Sequence, residues 1–461
     1  MDLNQYKHIH CVGIGGIGLS AIAEILLNRG YAVSGSDIKE SDVTKHLESL
    51  GAHVYPRHDA SNLTDTDLLI YSAAVSAENP ELAAAAENGI AVMSRAEALG
   101  AVMADYPLSV AVSGTHGKTT TTSMISLILE KAGLSPTILV GGILSELKGN
   151  VKVGNSAYFV TEACEYMDSF LSLRPRVEVI LNIDSDHLDY FRDIEHIADS
   201  FTTFARLVPP EGAVVAFDAN PFVKAAVHDL PCKVISFGFN ETSDFYARNI
   251  RFSGNGCPAY DLYHKGIYQD TLQLAVPGEH NVANSLAAIA ACSELGVSPG
   301  YMKETLQTFT GTRRRFDVQG VTPGGVTIVD DYAHHPTEIK ATLAAAQNVP
   351  HQRLWCLFQP HTYTRTRALF NEFAEALSAA DVVILAEIYA AREKNIYQIS
   401  AETLADKIKE MHPEKEVFFM PDFQEMATFV SQRAEPGDMV MTMGAGDIYR
   451  VGELILGADT K

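Results

Sequence analysis

Residues 108–122 read LSVAVSGTHGKTTTT: an apolar run, a loop bracketed by glycines, then hydroxyl residues opening a helical pattern that continues to about Lys131. Strand, loop and helix in that order frame a phosphate-binding turn, and Gly117-Lys118-Thr119 matches the end of the pattern G-x-x-x-x-G-K-[ST]. That pattern asks for glycine at 112, where Val112 stands; the nearest upstream glycine is Gly114. Gly114 and Gly117 can adopt conformations that turn successive N–H groups inward as an anion nest. Lys118 would then reach the terminal phosphates, and Thr119 would offer its hydroxyl to Mg²⁺. On these residues alone, a capped helix N-terminus with an exposed lysine reads equally well.

Upstream, Val12 to Ser20 reads VGIGGIGLS, in which Gly13, Gly15 and Gly18 form G-x-G-x-x-G between a short apolar strand and a helix. Asp37 ends the next strand, AVSGSD. This arrangement suits a pyrophosphate at a helix N-terminus, whether carried by a dinucleotide or a nucleotide sugar. A further strand at 67–75 and an alanine-rich helix at 79–88 continue the alternation of a parallel, doubly wound sheet, and Asp105-Tyr106-Pro107 reads as its boundary.

Downstream, polar residues gather at strand ends, where open parallel sheets bind ligands. Glu162 follows AYFVT, Asp186 and His187 follow VEVILNI, and PGEHNVANS (277–285) sets His280, Asn281 and Asn284 before an alanine-rich helix. After 312 the alternation restarts, with Asp330, Asp331 and two histidines after one strand, Arg365 and Arg367 after another, and MGAGD (443–447) after the last. Asp–His clusters can orient an amine or accept its proton, and arginines suit a carboxylate or phosphate. Each cluster alone also reads as helix capping.

The 461 residues allow two to four domains at roughly 100–200 residues each. The pattern predicts three α/β domains: an N-terminal Rossmann-like domain (1–107), a central P-loop-type ATPase domain (108–312) and a C-terminal Rossmann-like domain (313–461). The net charge of −22 argues against nucleic acid or an anionic membrane as the main partner, but leaves local loops free to bind phosphate. Six scattered cysteines without a C-x-x-C pair read as free thiols in a reducing compartment. No signal peptide or membrane span is apparent, so the expected location is cytoplasmic. ATP, a carboxylate and an amine together suggest ligation through an acyl phosphate.

SGTHGKTTTT, NIDSDHLD, PGEHNVAN, GTRRRFD, DDYAHHPTE and QPHTYTRTR, in that order, resemble the Mur ligases over most of the chain. GIGGIGLS together with DDYAHHPTE resembles the branch that joins L-alanine to UDP-N-acetylmuramate (UDP-MurNAc). The resemblance implies that Gly114, Thr115, His116, Gly117, Lys118, Thr119 and Thr120 cradle the ATP phosphates. It implies that Thr119 and Glu162 hold one Mg²⁺ and that His187 helps hold a second. Asn281 and the basic patch Arg313, Arg314 and Arg315 would approach adenine and phosphates. Gly13, Gly15, Gly16 and Gly18, with Asp37 and Ser72, would line the UDP side. Tyr332, His334 and Arg365 would receive L-alanine and the tetrahedral intermediate, with His334 or a nearby aspartate as base. Lys118, Glu162, His187, His334 and Arg365 thus form the expected catalytic set, in a monomer or weak homodimer.

Two positions depart from the family pattern. Cys164 stands where E-A-D-E has an acid, and Thr362 where relatives often have arginine. The chain also has no lysine between Arg176 and Val223, which makes a carbamate bridge there unexpected. A ligase that recycles a ready-made tripeptide is the nearest rival. A nicotinamide-dependent dehydrogenase leaves Lys118, Glu162 and His187 unexplained, and a nucleotide-binding switch leaves His334 and Arg365 idle.

Overall fold

A computed structural model describes residues 3–457 apart from 73 and 148. Its described residues form three sheets in chain order, an α/β architecture in three parts. In the first, five parallel strands run in the order His53–Tyr55, Ala32–Ser36, His8–Val12, Leu68–Tyr71, Ala91–Ser94. The chain reverses its direction of winding beside His8–Val12, so the glycine loop after that strand opens into the crevice between its two neighbours.

The second sheet has ten strands. Leu108–Ser113 sits between Tyr158–Glu162 and Val177–Ile180, parallel to both. This is again a switch point, and it sets the Gly114–Gly117 loop between the ends of the strands carrying Glu162 and leading to Asn182. Val110, Val112, Val177, Val179 and Ile180 are buried because helices cover both faces, which is why these strands read as apolar runs rather than as alternation. Antiparallel pairings extend the sheet at both edges: Phe245–Phe252 joins Lys233–Gly238 in parallel, and Pro258–His264 and Ile267–Gln273 then follow it antiparallel, while Gly149–Lys152 is antiparallel on the other side. The sequence reading missed them because they mix exposed polar and apolar residues and carry turn glycines.

The third sheet runs Asp317–Val321, Thr327–Asp331, Met439–Met443, Leu354–Phe358, Val382–Leu385, Glu416–Phe419; all pairs are parallel except the first.

Three local expectations shift. The strand expected at 67–75 stops at Tyr71, Glu162 closes its strand rather than following it, and His280, Asn281 and Asn284 lie inside the helix His280–Glu294. The first and second sheets share an apolar core in which Met103, Phe159 and Phe170 are buried. Tyr106 stacks on Phe159 at 5.0 Å and reaches Thr137 Oγ1 at 2.9 Å, which makes the expected boundary a packed joint.

Candidate functional site

The first glycine loop is held by its own backbone. Gly13 (φ +79°) and Ile14 donate to Ser36 O at 2.8 and 3.1 Å, and Gly16 donates to Gly13 O at 3.1 Å. Asp37 Oδ2 accepts from Gly15 N at 3.0 Å, and a Cβ on Gly15 would stand 2.9 Å from that oxygen. Ser72 borders Gly13, so Gly13, Gly15, Gly16, Gly18, Asp37 and Ser72 gather at one sheet end. Asp37 braces the loop here. Arg95, which sequence reasoning missed, packs its guanidinium stem over Gly18, where a Cβ would come within 3.1 Å.

The second loop is tied to the neighbouring strand end. Thr115 N donates to Asn182 O at 3.2 Å and His116 N to Asn182 Oδ1 at 2.8 Å, while Asn182 Nδ2 donates back to His116 O at 3.0 Å. Gly114 has φ +130° and Gly117 +85°. A Cβ on Gly114 would meet Leu181 and Asn182 at 3.0–3.1 Å, and one on Gly117 would come within 2.7 Å of Asn284 Oδ1. These close approaches explain both glycines. Gly117 caps the helix Lys118–Lys131 without a side chain, leaving the N–H groups of the first turn open to an anion.

Lys118 Nζ folds back to donate to Gly114 O (2.5 Å), Thr115 O (3.1 Å) and both oxygens of Glu165 (2.9 and 3.2 Å). Burial disfavours its charge, but Glu165 outweighs burial and holds the ammonium above its ordinary range. Glu165 is buried and stands 3.9 Å from His187 Nε2. It is the second acid of Glu162-Ala163-Cys164-Glu165, and its three-residue offset from Glu162 was the available signal. Exposed Cys164 lies between them. Thr119 and Glu162 face a shared glycine pair: Gly141 N donates to Glu162 Oε1 at 2.6 Å, a Cβ on Gly141 would stand 2.7 Å from Glu162 Oε2, and one on Gly142 would stand 3.1 Å from Thr119 Cγ2. Thr120, the next residue of that helix, is half-buried.

Asp184 to Asp189 form the seam with the third sheet. Thr337 Oγ1 donates to Asp184 Oδ2 at 2.6 Å, His335 Nε2 to Ser185 O at 3.0 Å, and Arg365 to Asp186 Oδ1 from both Nε and a terminal nitrogen at 2.9 Å. Burial opposes the charge on Asp186, but Arg365 and His187 hold its carboxyl well below the usual range. His116 bridges Asp184 (3.2 Å) and Glu338 (3.3 Å). Burial works against its charge, yet these two acids raise its pKa to about 9, so a cation stands in the phosphate loop at neutral pH. His116, Asp184 and His335 are close enough to suggest a metal cluster, but both nitrogens of each ring already have protein partners. The cluster works as a latch between the two parts.

A cavity of about 610 Å³ opens on one side of this segment, lined by Gly117, Asn182, Phe222, Asn281, Asn284 and Arg315, among others. A second, of about 370 Å³, opens on the other side, beside His187, Asp186, His361 and Arg365. Of the basic patch, Arg315 lines the larger cavity. Arg314 is spent on Asp330 (2.9 Å) and the Gly444 and Gly446 carbonyls, and exposed Arg313 donates its backbone N–H to Ile143 O at 3.3 Å. The positive φ of Arg314 (+62°) and Phe316 (+48°) turns adjacent side chains in ways that linear spacing does not reveal.

Tyr332 has the Arg314 and Arg315 guanidiniums over its ring at 5.0 and 5.2 Å. His334 contacts Tyr332 O at 3.0 Å through Nδ1. Burial lowers His334 to about 3 against the pull of Glu338, with Arg365 adding to the depression. A neutral imidazole that weakly basic is a poor proton acceptor for an ammonium, so the geometry suits orientation better than the base role expected of it.

Two switch-point loops that can each hold a phosphate, with a third sheet closing over the second, define a multi-part nucleotide-dependent enzyme. Three family models match in chain order: Mur ligase family, catalytic domain (8–107), Mur ligase middle domain (112–292) and Mur ligase, glutamate ligase domain (314–446). The chain belongs to the Mur ligase family. It is 49% identical to UDP-N-acetylmuramate–L-alanine ligase of Acetivibrio thermocellus, covering 99% of this chain and 97% of that one. It is 47% identical to the enzyme of the same name from Caldanaerobacter subterraneus over the full length of both. Among solved structures, UDP-N-acetylmuramate-alanine ligase of Thermotoga maritima superposes with TM-score 0.81 at 30% identity, covering 98% of each chain. A murein peptide ligase of Psychrobacter arcticus superposes with TM-score 0.71 at 25% identity over 98% of each. Among the described residues no helix is long and apolar enough to cross a membrane.

Proposed function

We propose that this enzyme uses ATP to join L-alanine to the lactyl carboxylate of UDP-MurNAc, giving UDP-MurNAc-L-Ala, ADP and phosphate. The observation that carries the reading is the Asp184–Asp189 segment, with a phosphate loop and large cavity on one side and a small polar cavity on the other. Chains at 47–49% identity that bear the alanine-ligase name favour L-alanine over a tripeptide.

In this reading residues 1–107 bind the UDP-sugar, 108–312 bind ATP and 313–461 bind the amino acid. The Gly13–Gly18 loop takes the pyrophosphate, with Arg95 beside it. Adenosine enters the larger cavity against Asn281, Asn284 and Arg315, and the phosphates lie over the N–H groups of Gly117 to Thr120, since those of Thr115 and His116 already bond Asn182. Lys118 leaves Glu165 for the terminal phosphates. The lactyl carboxylate attacks the γ-phosphorus as the bridging P–O bond to the β-phosphate breaks and ADP departs with its electron pair, and Lys118 and His116 offset the negative charge that gathers there. The acyl phosphate meets the amine of L-alanine in the smaller cavity, beside His361 and Arg365; His334 packs edge-on against His361 and Tyr332 against His334, so these two shape the site from behind its lining. Phosphate leaves from the tetrahedral intermediate.

Mg²⁺ fits the donor set: the Thr119 hydroxyl and the Glu162 carboxylate share a cradle that side chains at 141 and 142 would fill, and His187 with Glu165 offers a second position. When bound, Mg²⁺ would screen the phosphate oxygens from the incoming carboxylate. The acyl phosphate needs protection from water, and the Asp186–Arg365 and His335–Ser185 contacts supply the closure. We assign the reaction to the cytoplasm and the enzyme to a monomer or weak homodimer.

Phosphate release from ATP with UDP-MurNAc, with either L-alanine or a tripeptide as acceptor, tests the reading. Turnover with L-alanine is expected; turnover only with tripeptide overturns it.

A further inference from the structure

The smaller cavity has a short apolar wall, Leu188, Ala368 and Leu369, and a polar rim contributed by both sides of the seam. An α-amino acid entering it brings a carboxylate that must leave water, and that carboxylate needs a cation with free N–H donors. Arg365 has few to give. Its Nε and one terminal nitrogen are on Asp186, the other terminal nitrogen is on His361 Nδ1 at 3.1 Å, and its side chain is only 10% exposed. Arg367 stacks over Tyr397 at 4.6 Å.

Arg392 differs from both. It lines the cavity, is exposed, and among the described residues makes no hydrogen bond, ion pair or ring contact. The backbone that carries it is held in place: Ala391 takes φ +50°, and Glu393 accepts from Thr364 N at 2.8 Å. Across the cavity, burial and Asp189 push the Tyr166 phenol up to about 12, and the charge of Arg392 acts against them. Arg392 thus stands on the cavity lining, within electrostatic reach of Tyr166.

We propose that Arg392 receives the carboxylate of the acceptor amino acid and sets the requirement for a free α-carboxylate. This rests on the reading that a free amino acid is the acceptor. The apolar wall then remains for a small α-substituent.

Steady-state kinetics of the wild type, Arg392→Ala and Arg392→Lys, with L-alanine and L-alaninamide as acceptors, test it. Arg392→Ala should raise KM for L-alanine about tenfold or more, with kcat and the KM values for ATP and UDP-MurNAc within about twofold. Arg392→Lys should recover part of the loss. L-Alaninamide, a poor substrate of the wild type, should be insensitive to the substitution, so discrimination between the two acceptors narrows. An unchanged KM for L-alanine, or equal losses with both acceptors, overturns the role of Arg392 while leaving the ligase reading intact. A wild type that does not turn over L-alanine overturns the acceptor reading and this proposal with it.

Discussion

Arg365 grips Asp186 Oδ1 with two nitrogens at 2.9 Å, although the residues are 179 positions apart and belong to different sheets. Both side chains are nearly buried, at 10% and 9% exposure, so this pair is a specific lock on the closed arrangement. Removing one partner of a buried pair leaves the other charge uncompensated, typically at a cost of about 3–5 kcal/mol. Asp186→Asn should therefore open the seam. Small-angle scattering should show a larger radius of gyration, and kcat should fall at least about tenfold while each part stays folded. An unchanged radius and rate would remove the seam from the mechanism.

Lys118 is parked on Glu165 and on the carbonyls of its own loop. Lys118→Ala should reduce phosphate release by roughly a thousandfold, since a preorganised cation at the transferring phosphate is lost. Calorimetric binding of UDP-MurNAc should change by less than about twofold, because Gly13 to Gly18 belong to a different sheet. Surviving phosphate release would refute the loop assignment.

Gly117→Ala tests the close approach to Asn284. The added Cβ would stand 2.7 Å from Asn284 Oδ1, on a backbone at φ +85°. The left-handed conformation alone costs an alanine roughly 1–2 kcal/mol. Nucleotide affinity measured by calorimetry should drop about tenfold or more, and the melting temperature should fall by a few degrees. The UDP-sugar affinity should hold.

A fourth test concerns stability. Glu81 is fully buried beneath the first sheet, where it accepts from His10 (3.2 Å), Ser36 (2.6 Å) and Asn62 (2.7 Å). Burial disfavours its charge, but these donors prevail and lower its pKa from 4.5 to about 2. A carboxyl depressed on folding stabilises the protein above its unfolded pKa and loses that contribution as pH falls through the folded value. About 3 kcal/mol should thus disappear between about pH 4.5 and 2. Melting temperatures over that range should fall more steeply for the wild type than for Glu81→Gln. Parallel slopes would show that Glu81 does not carry the effect.

Much of the architecture was legible because its signals are local. Gly13, Gly114 and Gly117 mark positive-φ turns that glycine adopts readily, and apolar runs such as VAV and LWCLF mark strands covered on both faces. The antiparallel edges escaped notice because neither periodicity nor an apolar run marks Phe245–Gln273.

The chain by itself determined the order strand–loop–helix, the spacing of both glycine loops and the gathering of acids, histidines and arginines at strand ends. These follow from backbone sterics and from burial along a contiguous segment. Only the tertiary structure decided which of those residues meet. It paired Lys118 with Glu165, chose Arg315 over Arg314 for the cavity wall, tied Arg365 to Asp186 and left Arg392 without a partner among the described residues. It also made His116 a cation and kept His334 neutral, although both are histidines beside Glu338. Charge and partnership depend on burial and on neighbours far away in the chain, and those exist only once the sheets have packed.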